Sequence, residues 1–167
     1  MEAIQNRRSI RHYVAKPVEP EKIEALVAAA VSAPSARNSQ PWEFILVDDR
    51  VMLEKIMQIH PYSKMLAEAP AAFIVCADLS VYGDGNSDFY LIDCAAAIEN
   101  LLLEACELEL GTCWLGVAPN PEPMKALGGL FGLPEGVVVH SMVAVGYPDE
   151  APDARPRRKI TLRRNKY

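Results

Sequence analysis

Apolar positions along this chain recur with two distinct periods. Ile23, Leu26, Val27, Ala30 and Val31 fall at i, i+3, i+4, i+7 and i+8, the stripe of an amphipathic helix. Pro20 suits the first position of that helix, Glu21 and Glu24 suit its positive end, and Pro34 ends it. Trp42 to Val47 reads as a strand closed by the Asp48-Asp49 turn. Val51 to Ile59 reads as a helix, and Ala71 to Ala77 as a short buried strand. Thr112 to Val117 and Val137 to Val145 predict two more strands, with a helix from Pro121 to Leu130 between them.

The segment from about Asp88 to Leu110 contains no Gly or Pro and is rich in Leu and Ala, which predicts a long helix. Four of its polar residues, Asp93, Asn100, Glu104 and Glu107, fall within one narrow arc at 100° per residue. A helix apolar around the rest of its circumference is buried on most sides. Either a sheet of the same chain or a second subunit covers it. Gly111 is expected to cap it. Helices and strands mix without strict βαβ alternation, so the expected fold is α+β, with a central, largely antiparallel sheet in a single domain spanning 1–167.

Composition narrows the function. No apolar run is long and charge-free enough to span a membrane, and the N-terminus has no apolar leader, so a cytoplasmic protein is expected. Cys76, Cys94, Cys106 and Cys113 lack CxxC spacing and sit among apolar neighbours, as buried free thiols do. No cluster of His, Cys, Asp and Glu has metal-ligand spacing. The net charge of −5 argues against a nucleic-acid partner. Its distribution matters more. Arg7, Arg8, Arg11 and Lys16 near the start, with Arg155, Arg157, Arg158, Lys159, Arg163, Arg164 and Lys166 at the end, make up most of the 17 basic residues. These islands are either solvated tails or the two halves of a phosphate site.

Three segments carry candidate chemistry; neither a G-x-G-x-x-G nor a Walker loop is present. Arg7-Arg8-Ser9-Ile10-Arg11 offers guanidinium forks and a hydroxyl, which match phosphate oxygens. The segment also reads as an exposed basic helix start, but basic charge is unfavourable at a helix N-terminus and a bound anion explains it better. Pro34-Ser35-Ala36-Arg37-Asn38-Ser39-Gln40-Pro41-Trp42 is a proline-bracketed loop whose amides carry both donors and acceptors, suited to a flavin or base edge. It also reads as an ordinary turn before a core tryptophan. Gly111-Thr112-Cys113-Trp114-Leu115-Gly116 places glycine beside an aromatic, where backbone can approach a flat ring. His140, inside an apolar strand, reads as a core histidine rather than a catalyst.

Together and in this order, "RRSIR", "APSARNSQPWEF", "DCAAAIENLLLEACELELGTCWLG" and a basic C-terminal tail resemble the FMN-dependent nitroreductase family over essentially the whole chain. The resemblance implies an α+β sandwich homodimer with long central helices at the interface and C-terminal tails (about 149–167) reaching the partner. It implies that Arg7, Arg8 and Ser9 hold the FMN phosphate and ribityl chain, and that Arg11 tunes the flavin electrostatically near its N1/O2 edge. Pro34, Ser35, Ala36, Asn38 and Gln40 would come from the other subunit. Leu115 and Gly116 would approach the N5 side through backbone, and Arg155 and Arg157 would close the phosphate site. No side chain stands out as a catalytic acid or base. The chain has little insertion before the long helix, where some members carry a substrate lid.

The implied activity is transfer of electrons from NAD(P)H through FMN to a small-molecule acceptor, a nitroaromatic or quinone, by a ping-pong route. Two alternatives remain open: flavin chemistry on a specific metabolite, as in deiodinase-like or flavin-fragmenting relatives, and flavin binding or redox sensing without turnover.

Overall fold

Every side chain of Ala71 to Ala77 is buried, which a strand achieves only when both faces of its sheet are covered. The computed structural model describes residues 2–83, 88–151 and 156–166. Four strands, β1 (Trp42–Val47), β2 (Ala71–Asp78), β3 (Gly111–Gly116) and β4 (Val137–Gly146), form one sheet in the order β1-β2-β4-β3. All three pairings are antiparallel. The β2–β4 register shifts between Val75 and Cys76, a bulge in the middle of the sheet.

Helices cover both faces. Phe73, Val75, Ala77, Val143 and Val145 point to one side and pack with α2 (Pro20–Val31) and α4 (Phe89–Glu107). Ala72, Ile74, Cys76, Cys113, Leu115, Met142 and Ala144 point to the other and pack with α3 (Arg50–Ile59) and α5 (Pro121–Phe131). A short helix, α1 (Glu2–Asn6), lies against α4. This is the α+β sandwich the sequence predicts. The four cysteines are free thiols, and burial pushes Cys76 and Cys94 up to about 12. Among the described residues, no helix is long and apolar enough to cross a membrane.

Local chemistry explains most boundaries. Pro20 opens α2 at its first turn. The Asp49 carboxylate accepts from the Met52 N–H at 2.9 Å and caps α3. Asn120 caps α5, whose far end closes on Gly132 in the left-handed conformation.

Three expectations need correction. Gly111 does not cap α4: the helix stops at Glu107, Glu109 takes the left-handed turn at φ 60, and Gly111 begins β3. Glycine is needed there because a Cβ would stand 2.8 Å from the Ile10 Cβ. Second, Arg7 to Arg11 is not a helix start. Helix α1 ends at Asn6, and Ser9 then bridges Thr112 in parallel while the Ile10 N–H donates to the Thr112 carbonyl at 2.9 Å. The basic segment is therefore extended along the edge of β3. Third, the polar positions of α4 reach beyond one arc: Asp93 and Asn100 turn toward α2 and the loop after it, while Glu99, outside the arc, is exposed and meets Arg7. Asn100 Nδ2 donates to the Ala29 carbonyl at 3.2 Å, and Asp93 is buried beneath Ala36. The same helix leaves two large apolar side chains uncovered, Ile92 at 65% and Phe89 at 41% exposed.

Candidate functional site

Running Arg7 to Arg11 along the β3 edge brings the two basic islands together. Arg7, Arg8, Ser9 and Arg11 line a cleft of about 350 Å³ with Pro156, Arg157 and Arg158. The Arg7 carbonyl is the fastener: it accepts from Arg8 Nη1 at 2.8 Å and from Arg157 Nη2 at 3.1 Å. Arg8 Nη1 also donates to the Gln5 carbonyl at 2.6 Å. Arg7 Nε lies 3.5 Å from Glu99 on α4. Five guanidinium groups around so small a cleft repel one another, and an anion bound among them relieves that repulsion. Arg155 lies outside the described residues.

Two carboxylates hold the backbone that presents Arg11. Glu150 accepts from the Arg11 and His12 N–H groups, and these donors hold its carboxyl below the usual range. Glu68 accepts from Tyr13 N at 3.2 Å and faces His12 Nδ1 at 3.1 Å. The Tyr13 hydroxyl, buried, closes onto the Ile10 carbonyl at 2.6 Å.

Arg11 also borders a second cavity, of about 570 Å³. Its other walls are His60, Tyr62, Lys64 and Met65 on one side and Trp114, Leu115 and Gly116 on the other. Gly116 is exposed on its lip, and a Cβ there would meet nothing within 4 Å. Packing within the chain thus gives no reason for glycine; an uncovered backbone facing the cavity does. Beyond Gly116, a third hollow of about 530 Å³ is lined by Leu91, Ala95, Trp114, Ala118, His140 and Ser141. His140 Nε2 sits 3.1 Å from the Leu91 carbonyl, burial lowers its basicity, and its Nδ1 has no hydrogen-bond partner.

The expected Pro34, Ser35, Ala36, Asn38 and Gln40 line neither the cleft nor the second cavity. They form a separate loop with Arg37, Asn38 and Gln40 at φ 55, 56 and 48. Asp93 secures it, accepting from Ala36 N at 3.0 Å, Ser39 Oγ at 3.3 Å and Tyr82 Oη at 2.8 Å. Burial and the Asp93 carboxylate push the Tyr82 phenol up. The sequence reading passed over His60, Tyr62, Lys64, Met65 and Asp93. A polar turn after a helix was the only trace of the first four, and Asp93 carried no signal beyond the helical arc.

The cavities suit a phosphorylated planar ring system. The arginine cleft offers donors for a phosphate, and the adjoining space falls in the size range of cofactor pockets, with one apolar wall and an open glycine.

Such a sandwich, with a cationic cleft leading to a flat-walled cavity at a sheet edge, defines a cofactor-binding redox fold more readily than a hydrolase. The Nitroreductase family model matches residues 4–60 and 57–147, and the chain belongs to that family. It is 48% identical over 155 residues to an Archaeoglobus fulgidus protein provisionally named an NADH dehydrogenase/NAD(P)H nitroreductase, covering 92% of this chain and 87% of that one. A Clostridium acetobutylicum structure provisionally named an NADH oxidase superposes with a TM-score of 0.92 at 41% identity, over 99% of both chains. An FMN-dependent nitroreductase from Clostridium difficile superposes with a TM-score of 0.88 at 30% identity, over 99% of this chain and 98% of that one.

Proposed function

We propose that this protein is an FMN-dependent oxidoreductase that takes electrons from NAD(P)H and reduces a small acceptor such as a nitroaromatic or quinone. The observation that carries the reading is the convergence of Arg7, Arg8, Ser9 and Arg11 with Arg157 on one cleft that opens, past Arg11, toward the bare backbone of Gly116. When bound, FMN supplies the hydride chemistry, receiving two electrons from the reduced nicotinamide and delivering them to the acceptor.

This chain's residues then do the following. Arg7, Arg8, Ser9 and Arg157 bind the phosphate, with Arg155 of the same tail closing the site. Arg11 and Lys64 border the ring cavity and supply positive charge where electron density rises. Leu115 and Gly116 present backbone to the ring. Nicotinamide and acceptor occupy the same open face in turn, a ping-pong route.

The working unit is a homodimer, in which the partner subunit contributes Pro34, Ser35, Ala36, Asn38 and Gln40. Exposed apolar groups support that reading: Ile92 on the outer side of α4, and Ile160 and Leu162 in the tail, 84% and 89% exposed.

The test is direct. Purified protein is titrated with FMN, the bound chromophore is followed by absorption, and NADH or NADPH is added without oxygen. Stoichiometric yellow complex, bleached by a nicotinamide and recoloured by an acceptor, is the expected result. A protein that stays colourless at saturating FMN overturns the proposal. A yellow complex that no nicotinamide bleaches restricts it to flavin binding.

A further inference from the structure

His60 spends buried polar surface in a way that packing does not explain. It is 6% exposed and terminates α3. Its N–H donates to the Ile56 carbonyl at 2.9 Å, and its own carbonyl accepts from Ser63 Oγ at 2.6 Å and Ser63 N at 3.2 Å. The backbone is therefore fixed before the ring is considered. The ring packs edge-on against Tyr62, centroids 6.0 Å apart.

Among the described residues the imidazole then makes one polar contact, Nε2 to the Gly116 carbonyl at 3.0 Å. A carbonyl only accepts, so Nε2 carries the hydrogen and donates it. The other ring nitrogen, Nδ1, is buried without a hydrogen-bond partner among the described residues. A leucine would fill the space without stranding a polar atom, so the Gly116 bond is what histidine adds here.

Its recipient is the residue that needs holding. Gly116 has no side chain to anchor it and is the last residue of β3, on the lip of the cavity that Arg11 and Lys64 border. The chain leaves the strand directly after it, with Val117 N and Ala118 N both turned to the His140 carbonyl.

We infer that His60 is a positioning residue, which through its Nε2–H fixes the Gly116 carbonyl and so sets the backbone surface that β3 presents to the ring in the cavity. This rests on the proposed flavin reading and adds a residue that acts on the flavin through Gly116.

Two variants and two readouts test it. His60→Leu keeps bulk and drops the donor; His60→Gln restores an N–H that can reach the same carbonyl. With thermal melts as the folding control, His60→Leu is expected to weaken FMN binding at least tenfold, slow flavin reduction by NAD(P)H at saturating nicotinamide, and shift the visible band of bound FMN. His60→Gln is expected to return all three to within about threefold of the wild type. Independently of flavin, the ¹⁵N spectrum of the wild-type apoprotein is expected to show a hydrogen on His60 Nε2.

His60→Leu with wild-type affinity, rate and spectrum overturns the inference while leaving the flavin reading standing. Equal loss in both variants overturns it too, because the donor then does not matter. A ring whose Nε2 carries no hydrogen overturns it whatever the flavin does. Wild-type protein that binds no FMN overturns the function first and this role with it.

Discussion

The Tyr82 hydroxyl donates to Asp93 Oδ2 across 2.8 Å, and the same carboxylate takes the Ala36 N–H on its other oxygen. This buried junction ties α4 to the loop that carries Pro34 to Gln40. Three non-glycine residues of that loop, Arg37, Asn38 and Gln40, have positive φ, each a strained conformation that surrounding contacts must stabilise.

Asp93→Ala leaves the Ala36 N–H and the Tyr82 hydroxyl without their acceptor. The expected loss is about 3 kcal/mol in urea unfolding. Asp93→Asn keeps an oxygen for Ala36 and lets Tyr82 turn to accept, so roughly half that loss is expected. Equal stability of all three proteins would show that the loop holds itself.

What the sequence disclosed follows from how far apart the interacting residues lie. Periodicity placed all four strands and every helix longer than five residues, because those patterns are local. It also found the arginines, since guanidinium clusters are conspicuous in an acidic chain. It misjudged their backbone: Arg7 to Arg11 looks helical from composition, yet Ser9 and Ile10 pair with Thr112, about a hundred residues away. Gly111 looked like a cap for the same reason, because its actual neighbour, Ile10, is equally remote. His60 and Asp93 were illegible because their hydrogen-bond partners lie elsewhere in the chain, the Gly116 carbonyl for His60 and the Ala36 N–H, Ser39 Oγ and Tyr82 Oη for Asp93.

Gly111 and Gly116 bracket β3 and should behave oppositely when given a methyl group. At Gly111 the new Cβ would lie 2.8 Å from both Cβ and Cγ2 of Ile10, close to a branch point that cannot swing away. Gly111→Ala should cost about 1–3 kcal/mol by thermal or urea unfolding and push the Arg11 segment off the strand. At Gly116 the Cβ meets nothing within 4 Å, so Gly116→Ala should leave stability within about 0.5 kcal/mol while lowering FMN affinity. A Gly116→Ala protein that binds FMN normally would remove the glycine from the site.

Arg157 reaches the cleft from the far end of the chain and touches the Arg7 carbonyl at 3.1 Å. If its guanidinium serves the phosphate, Arg157→Gln should weaken FMN about tenfold and leave riboflavin, which lacks the phosphate, unchanged. The wild-type preference for FMN should also fall as salt is raised. Equal losses for both flavins would assign Arg157 to holding the tail and not to the ligand.

His140 sets an acid limit on stability. Burial holds its folded-state basicity below the ordinary value of 6.5, because a charged ring in the core would be poorly solvated. In the unfolded chain it takes a proton near that ordinary value. Between the two, the unfolded state binds more protons, so stability rises with pH. The contribution is fully present above about 6.5 and is lost as pH falls from there toward the folded value, with a slope of at most about 1.4 kcal/mol per pH unit. The buried ring sits among Leu91, Tyr90 and Trp114, and burial raises the Tyr90 phenol further out of this range. Glu19 and Glu150, held below an ordinary 4.5, exert their own acid effect only at lower pH. Urea midpoints of the apoprotein measured from pH 7.5 to 5 should therefore decline, and His140→Gln, which cannot take the proton but can still donate to the Leu91 carbonyl, should flatten the decline. An identical slope in the two proteins would assign the pH dependence to other groups.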